Sequence, residues 1–151
     1  MAVKPIPDGY SAVTPYLIVH DAAGAIAFYE QAFGATELMR LADPSGKLAH
    51  AEIKIGNSPI MLSDEFPEMN HLSAQAIGGT PVNLMVYVED VDSLFDQAIA
   101  AGATEIRPVA DQFYGDRAGT LADPFGHVWT LATHVEDLSM EEVNARFSAM
   151  V

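Results

Sequence analysis

The chain has 151 residues, half of them hydrophobic, and a net charge of −14 with only seven Lys and Arg. A chain of this size and hydrophobicity can bury a substantial core, which argues against disorder. The few, scattered cations argue against a nucleic-acid partner, and no apolar stretch approaches the ~20 residues that span a membrane. Without Cys there is no disulfide or thiolate ligand. Residues 1–7 lack the pattern of a signal peptide, so we expect a cytoplasmic protein.

The first half of the chain predicts one strand, one helix and three further strands. Residues 13–19 are rich in Val, Ile, Leu and Tyr, as strands are. Asp21 is a suitable N-cap for a helix over residues 22–33, and Gly34 suits the left-handed position that ends a helix. The three further strands are expected at residues 36–41, 48–55 and 59–63. Of these, the strand at 48–55 alternates apolar and polar residues, as half-buried strands do.

A short segment recurs in the second half of the chain. Phe33-Gly34-Ala35-Thr36-Glu37-Leu38 returns as Ala101-Gly102-Ala103-Thr104-Glu105-Ile106, at an offset of 102 − 34 = 68 residues. Each copy follows an apolar-periodic stretch, and each stretch follows an Asp. The recurrence predicts that one strand–helix–strand unit is used twice.

The second half repeats the order of elements. A strand is expected at 82–88, followed by a helix that Asp90 caps and that ends at Ala101. Three strands are then expected at 104–109, 112–121 and 128–133. Ser139-Met140-Glu141-Glu142 is a capping box that predicts a short C-terminal helix over about 139–149, which we expect to dock on its own chain or on a partner.

Together these elements predict a single α+β domain over residues 1–151, built from paired βαβββ modules. Module one covers about residues 10–64 and module two about residues 81–135. The irregular segment of about 65–80 connects them, either as a plain connection or as a lid. One such module leaves a face of its curved sheet open. Two modules are therefore expected to enclose a cavity with eight strands, either within one chain or across a homodimer.

Several motifs resemble those of the vicinal-oxygen-chelate superfamily, which includes glyoxalase I, bleomycin-resistance proteins and extradiol dioxygenases. The motifs that carry the resemblance are residues 13–19, 25–29 and 32–35 in module one and Asp123-Pro124-Phe125-Gly126-His127-Val128-Trp129 in module two. Three further stretches resemble the PhnB-like branch: His50-Ala51-Glu52-Ile53, residues 60–65 and Tyr114-Gly115-Asp116-Arg117. The resemblance covers roughly residues 10 to 135 and implies the paired-module fold. It leaves function open, because this fold carries many chemistries.

The resemblance also implies where a metal would bind. Metal-dependent members use His, Gln and Glu side chains from the first and last strands of each module. The repeat places those positions at Thr14, Leu62, Asn83 and Thr130. Neutral hydroxyl and amide groups bind transition metals poorly, and Leu does not bind them at all. We therefore expect no metal or other cofactor at the usual positions, while a divalent ion held by His50, Glu52 and a third residue stays an alternative.

His50 and Glu52 are the candidate catalytic residues. Ala51, Ile53 and Ile55 are expected to face a helix, which sends the two polar side chains to the cavity face of the same strand. At that spacing they can share a hydrogen bond, and the carboxylate can prepare the imidazole as a general base. The alternative is a solvated sheet edge or a dimer contact.

Candidate ligand-binding residues come from the same alternation and from the resemblance. They are Thr14, Tyr16, Leu62, Asn83, Met85, Tyr87, Tyr114, Arg117 and Thr130. In this set, Arg117 is expected in a loop over the cavity mouth, where it would hold a carboxylate or phosphate, or else in a surface pair with Asp116 or Asp123. Trp129 is expected on the opposite face of its strand, in the core.

Two functions are consistent with these features. The first is a small-molecule-binding protein that sequesters an aromatic or cationic ligand, which an acidic chain with cavity aromatics favours. The second is an enzyme of the same superfamily, a lyase, isomerase or dioxygenase-like protein, with an atypical metal or with metal-free acid–base chemistry by His50 and Glu52. Both imply a homodimer with neither a nucleic-acid nor a membrane partner.

Overall fold

A computed structural model describes residues 2–151 of the chain. The first module has the predicted order of elements: β1 (Tyr16–Val19), α1 (Ala22–Phe33), β2 (Thr36–Ala42), β3 (Leu48–Ile55) and β4 (Ser58–Asp64). The second repeats it: β5 (Asn83–Tyr87), α3 (Val91–Ala101), β6 (Thr104–Asp111), β7 (Asp116–Ala122) and β8 (Val128–His134). The predicted paired βαβββ modules are therefore confirmed.

Helix α1 begins and ends where the capping residues predict. The Asp21 carboxylate accepts a hydrogen bond from the Gly24 N–H at 3.0 Å, which satisfies one of the free donors of the first turn. The buried Asp64 carboxylate accepts from the Ala22 N–H at 2.8 Å and so fixes the start of the helix to the end of β4. Gly34 ends the helix at a φ of 67°, in the left-handed region that favours glycine.

Each module forms its own four-stranded sheet, and the two sheets have the same topology. The orders are β1-β4-β3-β2 and β5-β8-β7-β6. In each sheet the first and last strands of the module run parallel, and the other pairs are antiparallel. The sequence repeat therefore corresponds to a repeat of strand order.

Two strands start three or four residues later than the sequence predicts. The first begins at Tyr16 and not at Val13, because Pro15 has no N–H to add to the ladder and Val13 is 86% exposed. The seventh begins at Asp116 and not at residue 112. A turn over residues 112–115, closed by a 2.7 Å bond from the Gln112 N–H to the Asp116 carbonyl, takes up the difference.

The connector is more regular than its composition indicates. It contains a 3₁₀ turn at Pro67–Met69 and a one-turn helix α2 (Ala74–Ile77). The Gln75 side chain donates to the Pro124 carbonyl at 3.0 Å, which ties the connector to module two. The C-terminal helix α4 (Met140–Met150) is capped by Ser139, as predicted. No helix within residues 2–151 is long and apolar enough to cross a membrane.

The two modules join through their helices and not through their sheets. Helices α1 and α3 pack against each other, and the Phe33 ring lies 4.9 Å from the Trp129 ring between centroids. Trp129 is fully buried, as predicted. Within the described residues no strand pair links the two sheets. The eight predicted strands are present, but they do not close a barrel within one chain.

Candidate functional site

The open face of module one carries the side chains that alternate with its core. In β3 the residues Ala51, Ile53 and Ile55 are buried against the helix side. The strand register pairs Glu52 with Met61 and Met61 with Tyr16, so these three residues share the opposite face. By the same alternation His50, two residues before Glu52, lies on that face.

A continuous chain of hydrogen bonds crosses this face. The Tyr10 hydroxyl donates to Glu52 Oε1, and Glu52 Oε2 lies 2.8 Å from His50 Nε2. The other imidazole nitrogen, His50 Nδ1, lies 2.9 Å from the Tyr16 hydroxyl. The predicted contact between His50 and Glu52 is therefore present, and two tyrosines that the sequence did not connect to it extend it at both ends.

The carboxylate of Glu52 decides how the protons are placed. A carboxylate only accepts hydrogen bonds, so Nε2 of His50 carries a proton and Nδ1 of the neutral ring accepts from Tyr16. The hydrogen bonds from Tyr10 and from His50 lower the pKa of Glu52, although partial burial opposes them. The Glu52 side chain is 13% exposed and that of His50 25%. The face thus presents a recessed, ionised carboxylate beside an imidazole.

His71 also belongs to this neighbourhood, although no sequence pattern points to it. Its ring lies edge-on to Tyr16, with 6.1 Å between centroids. Its Nε2 lies 2.9 Å from the hydroxyl of Ser63, which is fully buried. A β-bridge between Phe66 and His71 folds the connector back and brings His71 to the face. A residue from an irregular segment has no periodicity, so no sequence pattern could place it.

A cavity of about 430 Å³ adjoins this face. Glu52, Met61 and Thr14 form one side, and residues of the N-terminal segment form the other. That segment contributes Pro5, Ile6, Pro7, Tyr10, Ser11 and Ala12. The predicted Thr14 and Glu52 therefore lie in one cavity, which the N-terminal segment partly covers.

A second cavity of about 700 Å³ lies at the junction of the two modules. The predicted Met85 and Tyr87 line it together with Phe33 and Trp129. Thr14, Tyr16 and Glu52 do not line it. Within one chain the predicted residues of module one and of module two are therefore distributed over two places and do not meet in one site.

Module two has a polar network of its own, which sequence analysis did not identify. The Tyr87 hydroxyl donates to Asp116 at 2.7 Å, and His134 Nδ1 lies 2.8 Å from the same carboxylate. The other nitrogen of His134 lies 2.8 Å from Asp137. These contacts raise the pKa of His134, Asp116 contributing most, and the Asp116 hydrogen bond raises the pKa of Tyr87. Asp116 lies an even number of residues before Thr120 on β7, so alternation places both on this face.

Two predicted site residues lie on the wrong side of their sheets. Leu62 is fully buried in the core and pairs with Ala51 and Leu17, so Met61 holds the open-face position of β4. Arg117 lies inside β7 and not in a loop over a cavity. Its guanidinium pairs with Asp92 at the start of α3 and with Asp111, and these carboxylates raise its pKa. The prediction that Arg117 pairs with Asp116 or Asp123 is therefore wrong.

The remaining candidates lie on module two. Asn83 is exposed at the start of β5, and Thr130 shares a 3.1 Å hydrogen bond with Thr120 on the neighbouring strand. Tyr114 is 39% exposed in the turn before β7 and packs edge-on against Phe113. None of the three contacts the Tyr10–Glu52–His50–Tyr16 chain.

The donor set does not fit the metal that the resemblance implies. On the open faces the four positions are Thr14, Met61, Asn83 and Thr130, which offer hydroxyl, thioether and amide groups. Such neutral donors do not form a zinc or iron site. Residues 2–151 contain no group of three or more His, Asp or Glu side chains placed to hold a metal ion.

Comparison with known proteins agrees with this fold. The family described as Glyoxalase/Bleomycin resistance protein/Dioxygenase superfamily matches residues 11–131. An uncharacterized protein of Mycobacterium tuberculosis is 45% identical over 141 residues, which cover 91% of this chain and 83% of that protein.

Solved structures of other proteins share this fold. TioX from Micromonospora sp. ML1 is 27% identical with a TM-score of 0.64, over 85% of this chain and all of that one. A PhnB protein from Bacillus cereus, 19% identical, shares the fold with a TM-score of 0.65 over 82% of this chain and 99% of its own. Since the family match spans most of the sequence, the chain belongs to the glyoxalase/bleomycin resistance protein/dioxygenase superfamily.

Proposed function

We propose that this protein binds a small aromatic molecule that carries a cationic group, at the open face of module one. The observation that carries the proposal is the Glu52 carboxylate, ionised and recessed in the wall of the 430 Å³ cavity. The Tyr16 ring, 5.5 Å from the His50 ring between centroids, offers a surface for stacking. The charge of −14 favours the approach of a cation.

We further infer that a second copy of the chain completes the cavity. Tyr16 is 43% exposed on module one, and Met85 and Tyr87 are 47% and 60% exposed on module two. Large apolar side chains grouped on a sheet face are typical of an interaction surface. Within the described residues the two sheets of one chain stay separate and do not close on each other through strand pairing. Module two of a partner chain would supply Met85 and Tyr87 opposite Tyr16, so that the residues separated within one chain meet in one site.

Thermal unfolding with a panel of compounds tests the binding. Phenethylamine, tryptamine and a bleomycin are compared with benzoate and phenylacetate, which match the aromatic part and reverse the charge. A ligand that binds only the native state at 100 times its Kd stabilises by about 2.7 kcal/mol. We expect a rise in Tm with at least one amine, no rise with the acids, and loss of the rise in Glu52→Gln. Unchanged Tm values across the whole panel would contradict the proposal.

A second candidate function is acid–base catalysis without a metal. The 2.8 Å contact between His50 and Glu52 favours it, because a carboxylate that orients an imidazole is the usual arrangement of a general base. The test is exchange of the α-hydrogens of phenylacetone and phenylpyruvate in D₂O, followed by NMR, with elemental analysis of the same sample. Exchange that His50→Ala abolishes supports the function. Equal exchange in both proteins rules out the role of His50.

A further inference from the structure

We propose that the residue that reacts with the ligand at this site is Tyr16, with His50 as its base and Glu52 as the group that positions His50. The inference rests on the second candidate function, acid–base catalysis at His50. It differs in that Tyr16 Oη, and not the imidazole, contacts the ligand. In the step we propose, Tyr16 Oη accepts a proton from a weakly acidic group of the ligand. The phenol proton passes at the same time to His50 Nδ1. The ligand is left as its conjugate base, and Glu52 stabilises the imidazolium.

The first argument is that both nitrogens of His50 are occupied. Glu52 Oε2 lies 2.8 Å from Nε2, and the Tyr16 hydroxyl lies 2.9 Å from Nδ1. The His50 side chain is 25% exposed, whereas Tyr16 is 43% exposed. A ligand group can therefore hydrogen-bond to an imidazole nitrogen only by displacing Tyr16 or Glu52. Of the four residues in the hydrogen-bond chain, Tyr16 is the exposed one.

The second argument is that the three residues have the order of a triad. The Glu52 carboxylate holds His50 in the tautomer whose Nδ1 carries no proton and can accept one. That nitrogen lies within hydrogen-bond reach of the Tyr16 hydroxyl. Tyr10 donates to the other oxygen of Glu52 and so fixes the carboxylate from the far side. The chain of hydrogen bonds that starts at Tyr10 thus ends at the Tyr16 hydroxyl.

The third argument is that the other tyrosines have different surroundings. Tyr10 and Tyr87 donate to carboxylates, which raises the pKa of each phenol and makes it a poorer nucleophile. Tyr29 is fully buried and its pKa is raised by that burial. Tyr114 is 39% exposed, close to the exposure of Tyr16, with no imidazole beside it. Of the five tyrosines, Tyr16 is the one whose hydroxyl faces an imidazole nitrogen.

Labelling with 4-(2-aminoethyl)benzenesulfonyl fluoride tests the proposal without knowledge of the natural ligand. The phenol oxygen attacks sulfur, fluoride leaves, and the phenol proton passes to His50, so that an aryl sulfonate ester of Tyr16 forms. Peptide mass spectrometry over time gives the rate at each tyrosine. We expect Tyr16 to react at least about tenfold faster than Tyr114, since a positioned base contributes about 10²–10⁴-fold to proton transfer. Tyr87, 60% exposed, should react more slowly than Tyr16.

The variant His50→Gln removes the base and keeps a polar side chain. We expect the rate at Tyr16 to fall to that of Tyr114, while the Tyr114 rate itself, which reports on intact folding, stays unchanged. Glu52→Gln should lower the Tyr16 rate to an intermediate value. Equal rates at Tyr16 and Tyr114 in the wild type, or a Tyr16 rate that His50→Gln leaves unchanged, would overturn the proposal. Modification of His50 with Tyr16 unmodified would also overturn it, yet would leave acid–base catalysis by His50 in place.

Discussion

The hydroxyl of Tyr29 donates to Asp123 Oδ2 at 2.5 Å and so links helix α1 of module one to the last turn of module two. Trp129 donates to the same oxygen at 2.9 Å. The other oxygen, Oδ1, accepts from the N–H groups of Phe125 and His127. One carboxylate therefore shapes a turn and joins two modules, in surroundings where Tyr29 is fully buried and Asp123 is 6% exposed.

Removal of the Tyr29 hydroxyl should weaken this link. Tyr29→Phe keeps the ring among Phe33, Phe125 and Trp129 but takes one donor from a buried carboxylate. The loss of one such partner costs about 1–3 kcal/mol. Urea unfolding measures the change, and Tyr114→Phe, at an exposed position, is the matched control, expected within about 0.5 kcal/mol of the wild type. A Tyr29→Phe protein as stable as this control would show that the bond does not hold the modules together.

The register of β4 can be tested with two neighbouring residues. Leu62→Ala removes a fully buried side chain and should cost about 2–5 kcal/mol. Met61→Ala, at a half-buried position in the wall of the 430 Å³ cavity, should cost less stability and should alter ligand affinity. Denaturant titration and the compound panel separate the two effects. The reverse pattern would mean that Leu62 faces the ligand after all.

The pH dependence of stability should reveal the network around His134. Asp116 and Asp137 raise the pKa of this group above 6.5 in the folded state. A raised folded pKa adds stability that is fully present below the unfolded pKa and disappears as pH rises through the folded one. As pH rises above about 6.5, the wild type should therefore lose stability relative to His134→Asn. Urea midpoints across this range provide the measurement, and parallel curves for the two proteins would contradict the assignment.

The homodimer that we infer should depend on the open face of module two. Met85→Lys places a charge among exposed apolar side chains and should convert the dimer to a monomer, because an unpaired buried charge costs several kcal/mol. Light scattering compares each species with the chain mass of 16.2 kDa. Val3→Lys, at a position 90% exposed near the N-terminus, adds the same charge and should remain dimeric. Monomers in both the wild type and the control would contradict the inferred assembly.

The fold could be predicted from the sequence because its signals are local. Asp21 and Gly34 bound a helix by capping chemistry, and the alternation of β3 fixes its faces without any tertiary information. The placement of Leu62 failed because β4 is buried on nearly every residue, so that no alternation revealed its register. Arg117 failed for a different reason. Arg117 shares the helix-facing side of β7 with Gly119, where an added Cβ would lie 2.9 Å from the Phe95 ring. A glycine has no apolar side chain that would mark this side as buried in the sequence.

The site was only partly predictable because two of its parts come from irregular segments. His50 and Glu52 follow from strand alternation, and the structure places them together. Tyr10 and His71 approach from the N-terminal segment and from the connector, where no period relates a residue to a face. Contacts made by such segments depend on tertiary folding alone.

The N-terminal segment that covers Glu52 belongs to neither sheet. Residues 5–9 are all exposed, so exchanging them removes nothing from the hydrophobic core. Substitutions there can change the size and polarity of the entrance to the carboxylate at almost no cost in folding free energy. This end of the molecule can therefore vary in sequence without disturbing Tyr16, His50 and Glu52, which lie on strands of the sheet.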